Sequence, residues 1–156
     1  MVVPYFAIVR TLQIYNQPIA LIAIYSLFNL PFAIWMLKGF LAEIPIELEE
    51  AALVDGANRW TSFRRVLLPL AAPGLVASAI FAFTLSWNEF LYALVFIQDE
   101  QAITVPVGLN LLIYGDVFHW GQLMAASVIT TIPVVALYVF IHRWMVEGLV
   151  AGSVKG

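Results

Sequence analysis

Glu50-Ala51-Ala52, three residues, Gly56, nine residues, and then Val66-Leu67-Leu68-Pro69 form the most specific pattern in the chain. Its chemistry is that of contact rather than of bond breaking. A carboxylate next to two methyl-sized side chains can pair with a basic group while letting another backbone come close. Glycine supplies the left-handed turn that other residues resist. Asn88 and Glu89 form a second candidate pair, because an ionisable side chain inside an apolar stretch is costly and marks a functional site by default. No Cys is present, so disulfides and thiolate-ligated metals are excluded. His119 and His142 stand at opposite ends of one apolar run and cannot share a metal. No Gly-x-x-x-x-Gly-Lys-[Ser/Thr] sequence is present to cradle phosphates.

The elements that must position these residues follow from composition. Hydrophobic residues make up 63% and charged residues 11% of the 156, against about 45–50% and about 25% in soluble domains. Seven Lys and Arg in a chain of net charge -3 make a nucleic-acid partner unfavourable. An all-α membrane protein is the class that remains, since only helices and closed barrels satisfy their backbone in hydrocarbon.

A spanning helix needs roughly 20 apolar residues. Three complete spans are expected, over about 17–37, 74–97 and 120–141. Met1 to Val9 is apolar, but nine residues of helix reach only about 14 Å. It therefore reads as the tail of a fourth span in an N-terminally truncated chain. Lys38, Arg59, Arg64 and Arg65 lie between the first two spans. Roughly Gln98 to Phe118, between the last two, carries Asp99, Glu100 and Asp116 and no basic residue. The positive-inside tendency makes the first segment cytoplasmic and the second external, with Arg143, Lys155 and the C-terminus inside and Arg10 as the exception.

The cytoplasmic segment, about 39–72, is too long to be a simple connection. Pro45 followed by Glu47, Glu49 and Glu50 suits a helix start. Asp55-Gly56 suits its end. A second short helix is expected from about Asn58 to Val66, with Pro69 and Pro73 steering the chain onward. A pair of helices lying on lipid headgroups is the plain alternative, but the acidic cluster would be repelled there.

The Glu50 to Pro69 pattern resembles the EAA loop of ATP-binding-cassette importer permeases, with Val66 in place of Ile. Asn29-Leu30-Pro31-Phe32, Ser86-Trp87-Asn88-Glu89-Phe90 and 147–156 extend the similarity over nearly the whole chain, towards the carbohydrate-uptake branch and its maltose-type second permease subunit. The resemblance implies a type I permease-like helix bundle in a bacterial or archaeal cytoplasmic membrane, importing a sugar. Glu50, Ala51, Ala52, Asp55, Gly56 and Pro69 would be the coupling contacts with a cytosolic ATPase dimer. A second permease subunit and an external solute-binding protein would complete the assembly, and no cofactor would be held. A non-transporting remnant and an intramembrane enzyme are the competing readings, though Glu89 has no acid or base partner in the sequence nearby.

Glu89 lies roughly 5 Å to the external side of the middle if one helix covers 74–97. Asn88 and Glu89 either line a pathway or pack at an interface, Glu89 then bonding a helix such as one bearing Asn110 or His119. Pro31 and Pro133 are expected to bend their helices, with Thr130 and Thr131 bonding the carbonyls that Pro133 frees.

Overall fold

A computed structural model describes residues 2–114 and 117–153, with side chains for 2–113 and 119–141. Asp116 and 154–156 lie outside the described residues, as do the side chains of His142, Arg143 and Trp144. Among the described residues the fold is all helical apart from a two-residue antiparallel ladder, Ile113–Tyr114 with Val117–Phe118.

The helices are α1 (Val2–Thr11), α2 (Pro18–Ala42), α3 (Ile46–Val54), α4 (Arg59–Ser62), α5 (Leu68–Leu70), α6 (Ala72–Trp87), α7 (Leu91–Phe96), α8 (Val105–Leu111) and α9 (Trp120–Ser153). A π-helical turn, Phe63–Leu67, joins α4 to α5. Two stretches, Pro18–Ala42 and Trp120–Ile141, are long and apolar enough to cross a membrane. The pair Arg59–Leu70 and Ala72–Trp87, bent by 66°, would make a third if read as one span.

The residues divide into two compact units, one of Met1–Asn29 with Phe83–Leu137 and one of Leu30–Ala82 with Tyr138–Gly156. The core of the first is built from Val9, Leu21, Ile24, Phe96, Ile97 and Val107, closed by the small Ala20 and Ala93. Phe96 is fully buried and stacks on Phe6, ring centroids 6.2 Å apart. Gln13 and Asn16 turn the chain from α1 into α2 at φ 56° and 60°, a region Asn tolerates better than most residues. Asn16 also accepts from the backbone N–H of Gln98 (2.8 Å) and of Asp99 (2.9 Å). Its own N–H donates to the Phe96 carbonyl at 3.0 Å. Asn16 thus meets an open carbonyl at the end of α7 with its backbone and two N–H groups of the following loop with its side chain.

The second unit rests on close helix approach. Gly74 is buried, and a Cβ there would overlap the Phe40 ring. Phe32 and Phe81 stack with centroids 4.2 Å apart. Glycine at the crossing lets α2 and α6 come within the reach that small residues give membrane helices.

Two expected elements differ. The stretch over 74–97 is not one helix: α6 stops at Trp87, and the chain restarts as α7 at Leu91. The reason is the Glu89 side chain described below, which takes the backbone donors of the new helix. The short helix expected over 58–66 continues as the π turn and α5 to Leu70, and the bend comes at Ala71. Leu68 N–H bonds the Phe63 carbonyl five residues back. Pro69 follows with no N–H to give, and the wider turn keeps its ring clear of the carbonyl one turn earlier. In α9, Thr130 and Thr131 both donate to the Ser127 carbonyl, at 3.0 and 2.8 Å, rather than to the carbonyl Pro133 frees.

Candidate functional site

The elbow of the second unit is assembled by local rules. Pro45 precedes the first turn of α3 without a side-chain cap, and Glu47 and Glu49 lie in that turn, where the partial positive charge of the helix end favours carboxylates. At the other end the Gly56 N–H donates to Leu53 (3.1 Å) and the Ala57 N–H to Ala52 (3.0 Å). Gly56 sits at φ 88°. These two bonds make a Schellman stop, which needs a left-handed residue and favours a contact between the residues flanking it, here Ala52 and Ala57. The spacing Ala-Ala, three residues, Gly is therefore the spacing of a helix terminus. Asn58 then opens α4 by accepting from Thr61 N–H at 2.8 Å.

The expected contact residues are presented rather than hidden. Glu50, Ala51, Asp55, Gly56 and Pro69 are exposed, and Ala52 is half-buried. Apolar side chains accompany them: Val54 is 87% exposed, Trp60 70% and Ile46 66%. Large apolar groups left uncovered around a charged elbow are characteristic of a surface that meets another molecule.

The first unit holds the other candidate. The Tyr25 hydroxyl donates to Glu89 Oε2 at 2.9 Å. Tyr92 N–H donates to both carboxylate oxygens (2.9 and 3.1 Å), and Ala93 N–H donates to Oε2 at 3.1 Å. Tyr25 of α2 thereby meets the first turn of α7 through one carboxylate. Its oxygens are met by helix N–H donors and a phenol, so the acceptor is satisfied away from water. Beside it Asn29 Nδ2 donates to Ser86 Oγ at 2.9 Å. Tyr25, Phe28, Asn29, Ser86, Glu89 and Tyr92 line a cavity of about 250 Å³. The partner of Glu89 is thus Tyr25, not a helix bearing Asn110 or His119.

Asn88, adjacent in sequence, belongs to different surroundings. It is exposed, and its Nδ2 donates to the Thr84 carbonyl at 2.8 Å. Asn88 and Glu89 line separate cavities. Tyr25, Asn16 and Gly74 were not singled out by sequence pattern. Tyr25 and Asn29 had a signal available, being polar and four residues apart on one face of an apolar helix. Among the described residues no group of three His, Asp or Glu side chains could hold a metal ion.

The chain has relatives among known proteins. It is 42% identical over its whole length to the inner membrane ABC transporter permease protein YcjP of Escherichia coli, covering 56% of that protein. It is 43% identical to the diacetylchitobiose uptake system permease protein DasC of Streptomyces coelicolor, over 100% of this chain and 56% of that one. Identity is 40% to the trehalose/maltose transport system permease protein MalG of Thermococcus litoralis, over 97% of this chain and 55% of that one. The chain therefore spans a little over half the length of these relatives. The family of binding-protein-dependent transport system inner membrane components matches residues 1–150. On that match, covering nearly every residue, this membrane protein belongs to the binding-protein-dependent transport system inner membrane component family.

Proposed function

We propose that the chain is the membrane-embedded permease part of an importer that takes up a sugar and is driven by a separate cytosolic ATPase. The observation that carries this reading is the exposure of the elbow: Glu50, Ala51, Asp55 and Gly56 face outward at a rigid helix stop. A hydrolase that closes around ATP can push a bundle only through a contact that holds its shape. The Schellman stop supplies the shape, Glu50 and Asp55 supply charge for basic partners, and Val54 and Trp60 supply apolar area. The functions for which the relatives are named, diacetylchitobiose uptake and trehalose/maltose transport, support a saccharide as cargo.

In this reading the elbow and the C-terminus face the cytosol, and roughly 98–118 faces outward to an external solute-binding protein. The spans over about 17–37 and 120–141, with the stretch 74–97 crossing as the broken pair α6 and α7, stand beside a second permease subunit, in a bacterial or archaeal cytoplasmic membrane. The chain hydrolyses nothing and binds no cofactor. Glu89 serves as internal support, its oxygens occupied by Tyr25 and α7, while the cavity beside it adds aromatic rings and hydroxyls to the sugar's route.

Two elbow variants test the assignment. Gly56→Asp and the charge reversal Glu50→Arg should both lose capture of the ATPase while inserting into membranes at the wild-type level. Normal capture by both would refute the coupling role. ATP-dependent uptake of labelled trehalose or maltose by proteoliposomes containing the assembled transporter tests the cargo, and uptake of neither would refute it.

A further inference from the structure

Another cavity in the first unit, about 350 Å³, is lined by Trp87 at the end of α6 and the adjoining Asn88, by Pro106 and Leu109 of α8, and by Thr130 and Thr131 of α9. Its size falls at the lower end of the range of about 300–1,000 Å³ that small-molecule sites occupy. No charged side chain lines it. A phosphate or carboxylate would find no cation there, and an ammonium would find no carboxylate, so desolvating either would go uncompensated.

The polar groups present have a particular balance. Both threonine hydroxyl protons are committed to the Ser127 carbonyl, which leaves their oxygens as acceptors. Asn88 uses one amide N–H on Thr84, keeping a carbonyl oxygen and a second N–H. The Trp87 indole, stacked on Phe83 with centroids 5.3 Å apart, brings a flat apolar wall and an N–H donor. Acceptors, donors and an aromatic plane thus share one lining with Pro106 and Leu109. That combination suits a molecule whose groups each donate and accept while its ring faces are C–H surfaces.

From this lining we infer that the Trp87–Asn88–Thr131 cavity is a binding subsite for one ring of a neutral saccharide, distinct from the cavity beside Glu89. The inference rests on the sugar-importer reading. Thr131 and Asn88 accept or exchange hydrogen bonds with ring hydroxyls, and Trp87 covers a C–H face. Acids and amines of the same size are refused by the absence of countercharge.

The chain has no Cys, which makes a single introduced thiol an unambiguous reporter. Thr131→Cys and Asn88→Cys are each prepared in the assembled transporter with cysteine-free partner subunits, and labelled with a polar maleimide. Gln101→Cys, exposed in the segment between the last two spans, is the control. Trehalose or maltose should slow labelling at 131 and at 88 several-fold and leave 101 unchanged. Thr131→Val, which removes the hydroxyl and keeps the shape, should raise the sugar concentration needed for half-maximal uptake roughly 2–10-fold. Equal labelling with and without sugar at both positions, in a transporter that imports that sugar, would overturn the subsite and leave the importer reading intact. Equal slowing by choline would overturn the saccharide class. Failure to import either sugar would instead strike the importer reading itself, and the subsite with it.

Discussion

Tyr25 and Glu89, separated by 64 residues, meet in a hydrogen bond of 2.9 Å, and the same carboxylate caps the first turn of α7. One side chain therefore interrupts the apolar stretch, restarts it and ties it to α2. A carboxylate so placed is met by two kinds of donor at once, a phenol and two backbone N–H groups.

Tyr25→Phe removes only the phenol hydroxyl. Hydrogen bonds to charged groups contribute about 1.5–3 kcal/mol, and the half-buried setting puts the expected loss towards the lower figure. Glu89→Gln keeps an acceptor for Tyr92 and Ala93 and should cost less than Glu89→Ala, which leaves their N–H groups open. Amide exchange at residues 92 and 93 in detergent should accelerate most in Glu89→Ala and least in Glu89→Gln. Unchanged exchange in Glu89→Ala would refute the cap.

Asn16 tests the far end of α7. Asn16→Asp should hold both N–H groups and fold as the wild type does. Asn16→Gly keeps the left-handed turn but loses the side-chain acceptor, and Asn16→Ala loses both. Thermal midpoints in detergent should therefore fall in the order Asp, Gly, Ala, with the αL penalty of about 1–2 kcal/mol separating the last two. An alanine variant as stable as the aspartate would contradict the arrangement.

Gly74 and Phe40 should couple energetically. Gly74→Ala drives a methyl into the Phe40 ring, an overpacking that costs about 1–3 kcal/mol. In a Phe40→Ala background the same change should cost less, because the ring is gone and only the remaining Cβ, 2.7 Å away, still crowds the methyl. Unfolding of the four proteins of this cycle in mild detergent gives the coupling, expected at about 1 kcal/mol or more. Additivity would mean that the helices do not approach through Gly74.

Val54 separates docking from folding. At 87% exposure its side chain supports little of its own fold, so Val54→Lys should alter stability by no more than about 0.5 kcal/mol. Capture of the ATPase should nonetheless weaken about tenfold or more, a size typical of a central apolar contact in an interface. Full capture by Val54→Lys would move the contact surface away from the tip of α3.

The sequence by itself determined what depends on neighbours within one turn or on bulk solvent preference. Apolar runs of spanning length set α2 and α9. Ala52, Leu53 and Gly56 fix a helix stop, because its bonds reach only three to five residues. The outward presentation of the elbow is compatible with its charges alone. Only the tertiary structure decided which distant groups meet. Tyr25 finds Glu89 across 64 residues, Asn16 finds Gln98 across 82, and Gly74 lies under Phe40. An apolar stretch with one carboxylate reads as a continuous helix, because hydropathy counts residues and is blind to direction. Whether Glu89 breaks that helix depends on a phenol arriving from another one, and on backbone donors that become free only when the break exists. Pattern along the chain encodes the cost of such a charge; the packing of helices encodes what answers it.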